Sequence, residues 1–189
     1  RDRMTVTPVA MPIDERGRFW ITESLEYPRR KPGPGQDRVK VLEDTDNDGR
    51  MDKATIFADG LNIPSGIAVG HGGVWVANSP DILFYPVENW DTLKHGEPQV
   101  VVTGFGRDDT HELPNSFTWG PDGWLYGLNG VFNRSVVESR RAGSKKFEFT
   151  CALFRIHPRT REFQLFAQGT SNPWGVAWDN EGSAFVSAC

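Results

Sequence analysis

The sequence is poor in cysteine, with only Cys151 and Cys189 in 189 residues. Two are too few for a disulfide framework. They could pair, stay free or, for Cys189, belong to a motif that continues further along. The chain also lacks any apolar run near the ~20 residues that span a bilayer, so no transmembrane segment is expected within it. Its opening, "RDRMTVTPVAMPIDERG", has no apolar h-region and so no signal peptide. The chain reads as cut at both ends. It has no excess of basic residues: the net charge of −4 argues against a nucleic-acid partner. Helical periodicity is nearly absent, because glycine, proline and asparagine interrupt almost every stretch. There is no G-x-S-x-G elbow, P-loop, paired-cysteine zinc motif, Rossmann glycine fingerprint or CxxCH.

What is present is a soluble, globular composition, 38% hydrophobic and 24% charged. Seven Trp and twelve Phe exceed what a disordered chain carries. An internal repeat organises these residues. The segments "PVAMPIDERGRFWIT", "PSGIAVGHGGVWVAN", "PNSFTWGPDGWLYGL" and "PWGVAWDNEGSAFVS" begin at Pro8, Pro64, Pro114 and Pro173. Each has a glycine nine residues after its proline, at Gly17, Gly73, Gly123 and Gly182. An apolar or aromatic residue follows three further on, at Trp20, Val76, Tyr126 and Phe185. The pattern reads as a buried strand, a tight glycine turn and a second strand. Starts 56, 50 and 59 residues apart, with further strand-like stretches between, predict an all-β β-propeller. A β-sandwich with coincidental spacing is the alternative. The expected blades are roughly 1–61, 62–112, 113–171 and an incomplete 172–189, about three and a half of the 4–8 that close a propeller. Open strand edges are the consequence.

"LEDTDNDGRMDK", from Leu42 to Lys53, has the spacing of a calcium loop. Asp44, Asp46 and Asp48 stand at positions 1, 3 and 5, Gly49 at 6, Arg50 at 7 for its carbonyl, and Asp52 at 9. Position 12, which should be glutamate, is Thr55, and a strand-like run follows instead of a helix. The expectation is a structural calcium ion that ties "DRVKVLE" to "ATIFADG". An acidic turn without metal is the other reading.

The richest stretch for chemistry is "GFGRDDTHELPNSFTWGPDGWLYGLNG". His111 precedes an inner strand, where loops reach the mouth of a propeller channel. It is a candidate general base, with Asp108 or Asp109 to orient it, or else an ordinary surface histidine. Asn115 and, in "GTSNPWGVAWDN", Asn172 are candidates to position a substrate or bind a cofactor or metal through an amide oxygen. Trp174 is expected to pack between blades, with lining of the channel as the alternative. His71, His95 and His157 read as structural.

Three stretches together carry a family resemblance: "LEDTDNDGRMDKATIFADGLNIPSGIAVGHGGVWVANSPDILFY", "TGFGRDDTHELPNSFTWGPDGWLYGLNG" and "SNPWGVAWDNEGSAFVSAC". They resemble the N-terminal propeller of the membrane-bound dehydrogenase-like proteins of planctomycetes and verrucomicrobia. Those are similar in turn to the quinoprotein glucose and sorbosone dehydrogenases. The resemblance implies a six-bladed, extracytoplasmic propeller that oxidises a sugar or alcohol, with pyrroloquinoline quinone as cofactor. It also implies a c-type haem domain beyond residue 189. His111 before "GPDG" matches the base histidine, and Asn172 matches one residue of an Arg-Asn pair that contacts the quinone. Ser171 stands in place of that arginine, and Val131 in place of an aspartate that often follows Gly130. Two alternatives accompany the dehydrogenase reading. One is a non-catalytic binding propeller. The other is a metal-dependent, lactonase-like hydrolase using Asn115 and Asn172, for which no inward carboxylate is evident.

Overall fold

The computed structural model describes residues 4–29 and 31–188. Cys189 lies outside them, and Cys151 is a free, buried thiol. The described residues form strands, turns and bends and no α-helix, so none is long and apolar enough to cross a membrane.

The first sheet runs in chain order: β1 (Pro8–Ala10), β2 (Phe19–Glu23), β3 (Asp37–Glu43) and β4 (Lys53–Leu61). The β1–β2 turn shows how the repeated glycine works. Gly17 has φ +77°, a left-handed conformation that glycine adopts without strain. Asp14 knits the turn, accepting from the Arg16 and Arg18 amides, Arg18 Nε and Trp20 Nε1. Gly123 and Gly182 repeat the conformation, and Asp179 repeats the knitting by accepting from the Glu181 and Ser183 amides.

The second sheet begins with β5 (Gly66–Gly70), β6 (Gly73–Asn78) and β7 (Asp81–Asn89), which also pairs the short β8 (Lys94–His95), and continues to β9 (Gln99–Thr103). The third is β10 (Asn115–Trp119) and β11 (Leu125–Asn129), then β14 (Ala152–Ile156) and β15 (Phe163–Gln168). Between β11 and β14 the chain leaves this sheet. The hairpin β12 (Ser135–Ser139) and β13 (Lys146–Phe149) extends the second sheet instead, through Glu138 opposite Thr103 and Ser139 opposite Val102. The last sheet is the pair β16 (Pro173–Trp178) and β17 (Ala184–Ala188), with β17 exposed along its length.

The sheets pack face to face, and strand alternation decides which residue faces which neighbour. On β6, Val74 and Val76 join Trp20, Val39, Val41 and Phe57 between the first and second sheets. Trp75, pointing the other way, joins Phe84, Phe105, Phe154 and Phe163 between the second and third. Tyr126 and Leu128 meet Val176 and Trp178 at the fourth. The chain is an all-β fragment of a β-propeller. Because neighbouring strands alternate in direction, the connections between sheets all lie at one end, called upper here. The β1–β2, β3–β4, β5–β6 and β14–β15 turns lie at the lower end.

Candidate functional site

The upper end carries a hollow of about 530 Å³ lined by Leu25, Tyr27, Ile63, Thr110, His111 and Trp174, among others. Four separate segments supply these residues: the β2–β3 loop brings Leu25 and Tyr27, the β4–β5 connection Ile63, the β9–β10 connection Thr110 and His111, and the start of β16 Trp174. Trp174 is 46% exposed. It lines the mouth while Val176 and Trp178 pack against the third sheet, because a register shift between Pro173 and Val176 takes Trp174 out of their alternation.

His111 stands with its side chain 68% exposed. Its Nδ1 lies 2.9 Å from Asp109 Oδ1, which also accepts the His111 amide at 2.9 Å. Tyr27 meets the imidazole edge to face at 5.4 Å. Asp109, and not Asp108, is the orienting carboxylate. The turn that carries both is pinned from below by buried Asn133, whose Oδ1 accepts the Asp109 amide while Nδ2 donates to the Asp109 and Glu112 carbonyls.

Behind His111 lies a group that the sequence did not single out. Glu112 is buried. Its side chain lies against Gly130, where an added Cβ would meet Glu112 Cβ at 2.1 Å and Oε2 at 2.5 Å. Only glycine leaves that room. Burial pushes the Glu112 carboxyl above its usual range, and Asp109 adds to the effect while His111 opposes it. The Cys151 thiol nearby, 3.0 Å from Thr170 Oγ1, is also pushed up, first by burial, with the Glu112 charge acting in the same direction.

Asn115 is fully buried at the start of β10 and donates to the Leu113 carbonyl. Asn129, at the end of β11, donates to the Thr150 carbonyl at 2.6 Å. These donations use the amide nitrogens and turn the oxygens away. Asn115 Oδ1, Asn129 Oδ1, Asn172 Oδ1 and Glu112 Oε2 are all buried with no hydrogen-bond partner among the described residues. Four acceptors without donors at the upper end of the third and fourth sheets suit a hard cation, ordered water or a donor-rich ligand. Val131 and Ser171, where the resemblance leads one to expect aspartate and arginine, meet through their backbones: the Val131 amide donates to the Ser171 carbonyl at 3.2 Å.

A raised Glu112 pKa has a stability consequence. The native state holds this proton more tightly than the unfolded chain does. Stability from this group is therefore fullest below the unfolded pKa, near 4.5, and falls as pH rises through the folded value. Glu112→Gln is expected to remove that fall. In thermal melts without divalent metal, the variant gains on the parent as pH rises from 4.5; a parallel pH dependence in the two proteins would refute it.

The acidic loop lies at the lower end, away from the hollow. Asp44, Asp46 and Asp48 each present an oxygen, all within 4.8 Å of one another. Gly49 turns the loop at φ +85° and donates to Asp44 Oδ2, and the Arg50 amide donates to Asp48 Oδ1. Asp52 is not part of this trio; its oxygens accept from Thr45, from the amide at 3.0 Å and Oγ1 at 2.7 Å. Among the other histidines, His95 sits between the Gly96 and Phe57 carbonyls, both at 2.8 Å.

Across the whole chain, residues 1–189, the model of a domain of unknown function (DUF7133) matches. The chain belongs to the DUF7133 family. No curated protein sequence matches this DUF7133 chain. Among solved structures it is similar to a luciferin-regenerating enzyme, with a TM-score of 0.60 and 15% identity over 89% of this chain and 48% of that one. It is also similar to a candidate 6-phosphogluconolactonase from Bacteroides fragilis, with a TM-score of 0.53 and 15% identity over 98% of this chain and 51% of that one. The DUF7133 chain thus spans about half the length of these proteins. At such identity the likeness speaks for the propeller fold.

Proposed function

We propose that this DUF7133 chain forms part of an extracytoplasmic propeller enzyme whose mouth takes a carbohydrate-like small molecule, with His111 as the base. The observation that carries this reading is the His111–Asp109 pair beside the Tyr27 and Trp174 rings. With Nδ1–H donated to Asp109, Nε2 is the nitrogen left to accept a proton. Exposed aromatic faces beside a proton acceptor suit a ring with apolar C–H faces and polar hydroxyls.

In the oxidation of a sugar or alcohol, His111 would take the hydroxyl proton while a two-electron acceptor takes the carbinol hydride. The resemblance supplies pyrroloquinoline quinone as the hydride acceptor, but the residues do not fit it. Ser171 and Val131 bring no charged side chain, and their backbones close on each other. Ser171 and Val131 are therefore not the residues that would hold a two-electron acceptor, and the c-type haem domain that the resemblance implies would take electrons onward from whatever group does.

A second reading is favoured by the unpartnered oxygens. Glu112, Asn115 and Asn172 would hold a hard cation, and Glu112 is the carboxylate this reading needs. Bound there, the cation would polarise a lactone carbonyl, while His111 takes a proton from the attacking water. Assay of the full-length protein decides between the two. Acceptor-linked oxidation of sugars that survives chelation supports the first, and chelation-sensitive lactone hydrolysis supports the second. If neither activity appears over a broad panel, a non-catalytic binding propeller replaces both.

At the acidic loop we assign a structural calcium ion to Asp44, Asp46 and Asp48. Calcium is expected to raise the melting temperature of the full-length protein by a few degrees, about 1–2 kcal/mol of linkage. Asp46→Asn should abolish the rise and Asp52→Asn should leave it. An equal rise in parent and Asp46→Asn would remove the loop as its source.

A further inference from the structure

The lower end of the cleft between the second and third sheets gathers positive charge in a chain whose net charge is −4. The β14–β15 turn carries His157, Arg159 and Arg161, and the β5–β6 turn brings His71 towards them. A run of rings joins the two turns. His71 lies 4.5 Å from Trp119, Trp119 lies 6.1 Å from Trp75, and Arg161 Cζ sits 4.4 Å over Trp75. Burial holds the His71 imidazole below its usual range, and the charges that add to this are all cationic: Arg159, His157 and Arg161. Glu162 is engaged with Arg141 and Asp122 with Arg155; on the far side of His71, Asp14 is engaged with Arg18, and Glu15 lines the same hollow as His71.

Arg161 is the residue that packing alone does not explain. Its guanidinium is clamped over Trp75 and, at 4.1 Å, over Phe84. Nη1 is buried and bonds no described residue, although a guanidinium offers five N–H donors. Its backbone has φ +62°, a conformation that strains a residue with a side chain and that glycine takes freely in the β1–β2, β10–β11 and β16–β17 turns. An unpaired arginine thus holds a strained position, next to like charges, where glycine would relieve both problems. His157 adds a donor. Its Nδ1 accepts the Arg159 and Thr160 amides, which leaves Nε2 to carry the hydrogen.

We propose that this end of the cleft binds an oxyanion, the phosphate or carboxylate group of a ligand, through Arg161 and Arg159 with His71 at its edge. An oxyanion supplies acceptors for Arg161 and offsets the repulsion between the Arg159 and Arg161 guanidiniums. This inference is independent of the chemistry proposed at the upper mouth.

The test titrates the full-length protein with inorganic phosphate and, separately, with acetate, at constant ionic strength set by chloride, by calorimetry. Saturable one-site binding of either anion is expected. Phosphate alone would point to a phosphoryl ligand, and acetate alone or both to a carboxylate one. Arg161→Gly suits the positive φ and should fold, as circular dichroism would check. It should weaken binding by about tenfold or more. Exposed Arg159→Ala should weaken it severalfold without altering the fold. Saturation by neither anion would mean that water alone serves Arg161 and would overturn the proposal. So would equal affinity in the parent and both variants.

Discussion

Replacing His111 by alanine in the full-length protein is expected to cut turnover by about 10²- to 10⁴-fold, the usual contribution of a positioned general base. The melting temperature should stay where it was, because the side chain is 68% exposed and touches the core nowhere. The loss should fall on kcat more than on KM, since Tyr27 and Trp174 would still hold the substrate. Asp109→Asn should cost less. The amide oxygen can still accept from Nδ1–H, but it lacks the charge that stabilises the imidazolium. A His111→Ala enzyme with parental kcat on the protein's own substrate would remove His111 from the chemistry altogether.

The second large effect is on stability. Asp37 is fully buried at the start of β3. It accepts from the Leu25 amide at 2.6 Å, the Glu26 amide at 3.0 Å and the Ile63 amide at 2.6 Å. It thereby ties the β2–β3 loop, which carries Tyr27, to the β4–β5 connection, which carries Ile63. Arg107 reinforces the same joint by donating to the Ser79 carbonyl and Asn62 Oδ1. Asp37→Ala leaves three backbone donors without their acceptor at about 1–3 kcal/mol each. These losses overlap, so the expected destabilisation is roughly 3–5 kcal/mol, in the range for breaking a buried charged network. Asp37→Asn keeps one acceptor oxygen and should lose less. The mouth should loosen along with the fold, raising KM before the protein unfolds. Thermal and urea melts of the full-length variants measure the first effect, and a fully stable Asp37→Ala would contradict it.

The fold was legible because its repeating unit is local. A glycine that turns the chain, with apolar residues at fixed distances on either side, needs no knowledge of the rest of the molecule. Trp20, Val76 and Tyr126 are accordingly buried. Phe185, their counterpart in the fourth segment, is 60% exposed because its sheet has only two strands to cover it. The β12–β13 hairpin was not legible. Its strands look like any others, and only long-range pairing with β9 reveals which sheet they extend.

The site was half legible for a related reason. His111 and its two aspartates lie together in the chain, so the dyad could be anticipated. Tyr27 sits in "ESLEYPRRKPGPG", which carries no motif, and reaches His111 only through the fold. Glu112 looks like a solvated loop residue. Its burial depends on Gly130, 18 positions later in the sequence. Asp52 fits a metal-ligand spacing, yet it lies outside the cluster of Asp44, Asp46 and Asp48 and accepts from Thr45 instead, a placement that spacing alone does not show.

The most direct test of the proposed mouth is a crystal structure of the full-length protein with a turned-over sugar or lactone bound to an inactive His111→Asn variant. The ligand is predicted to lie between Tyr27 and Trp174. Its reacting oxygen should fall within about 3 Å of where the parental imidazole Nε2 would be. A ligand bound elsewhere, with this hollow filled only by solvent, would contradict the account.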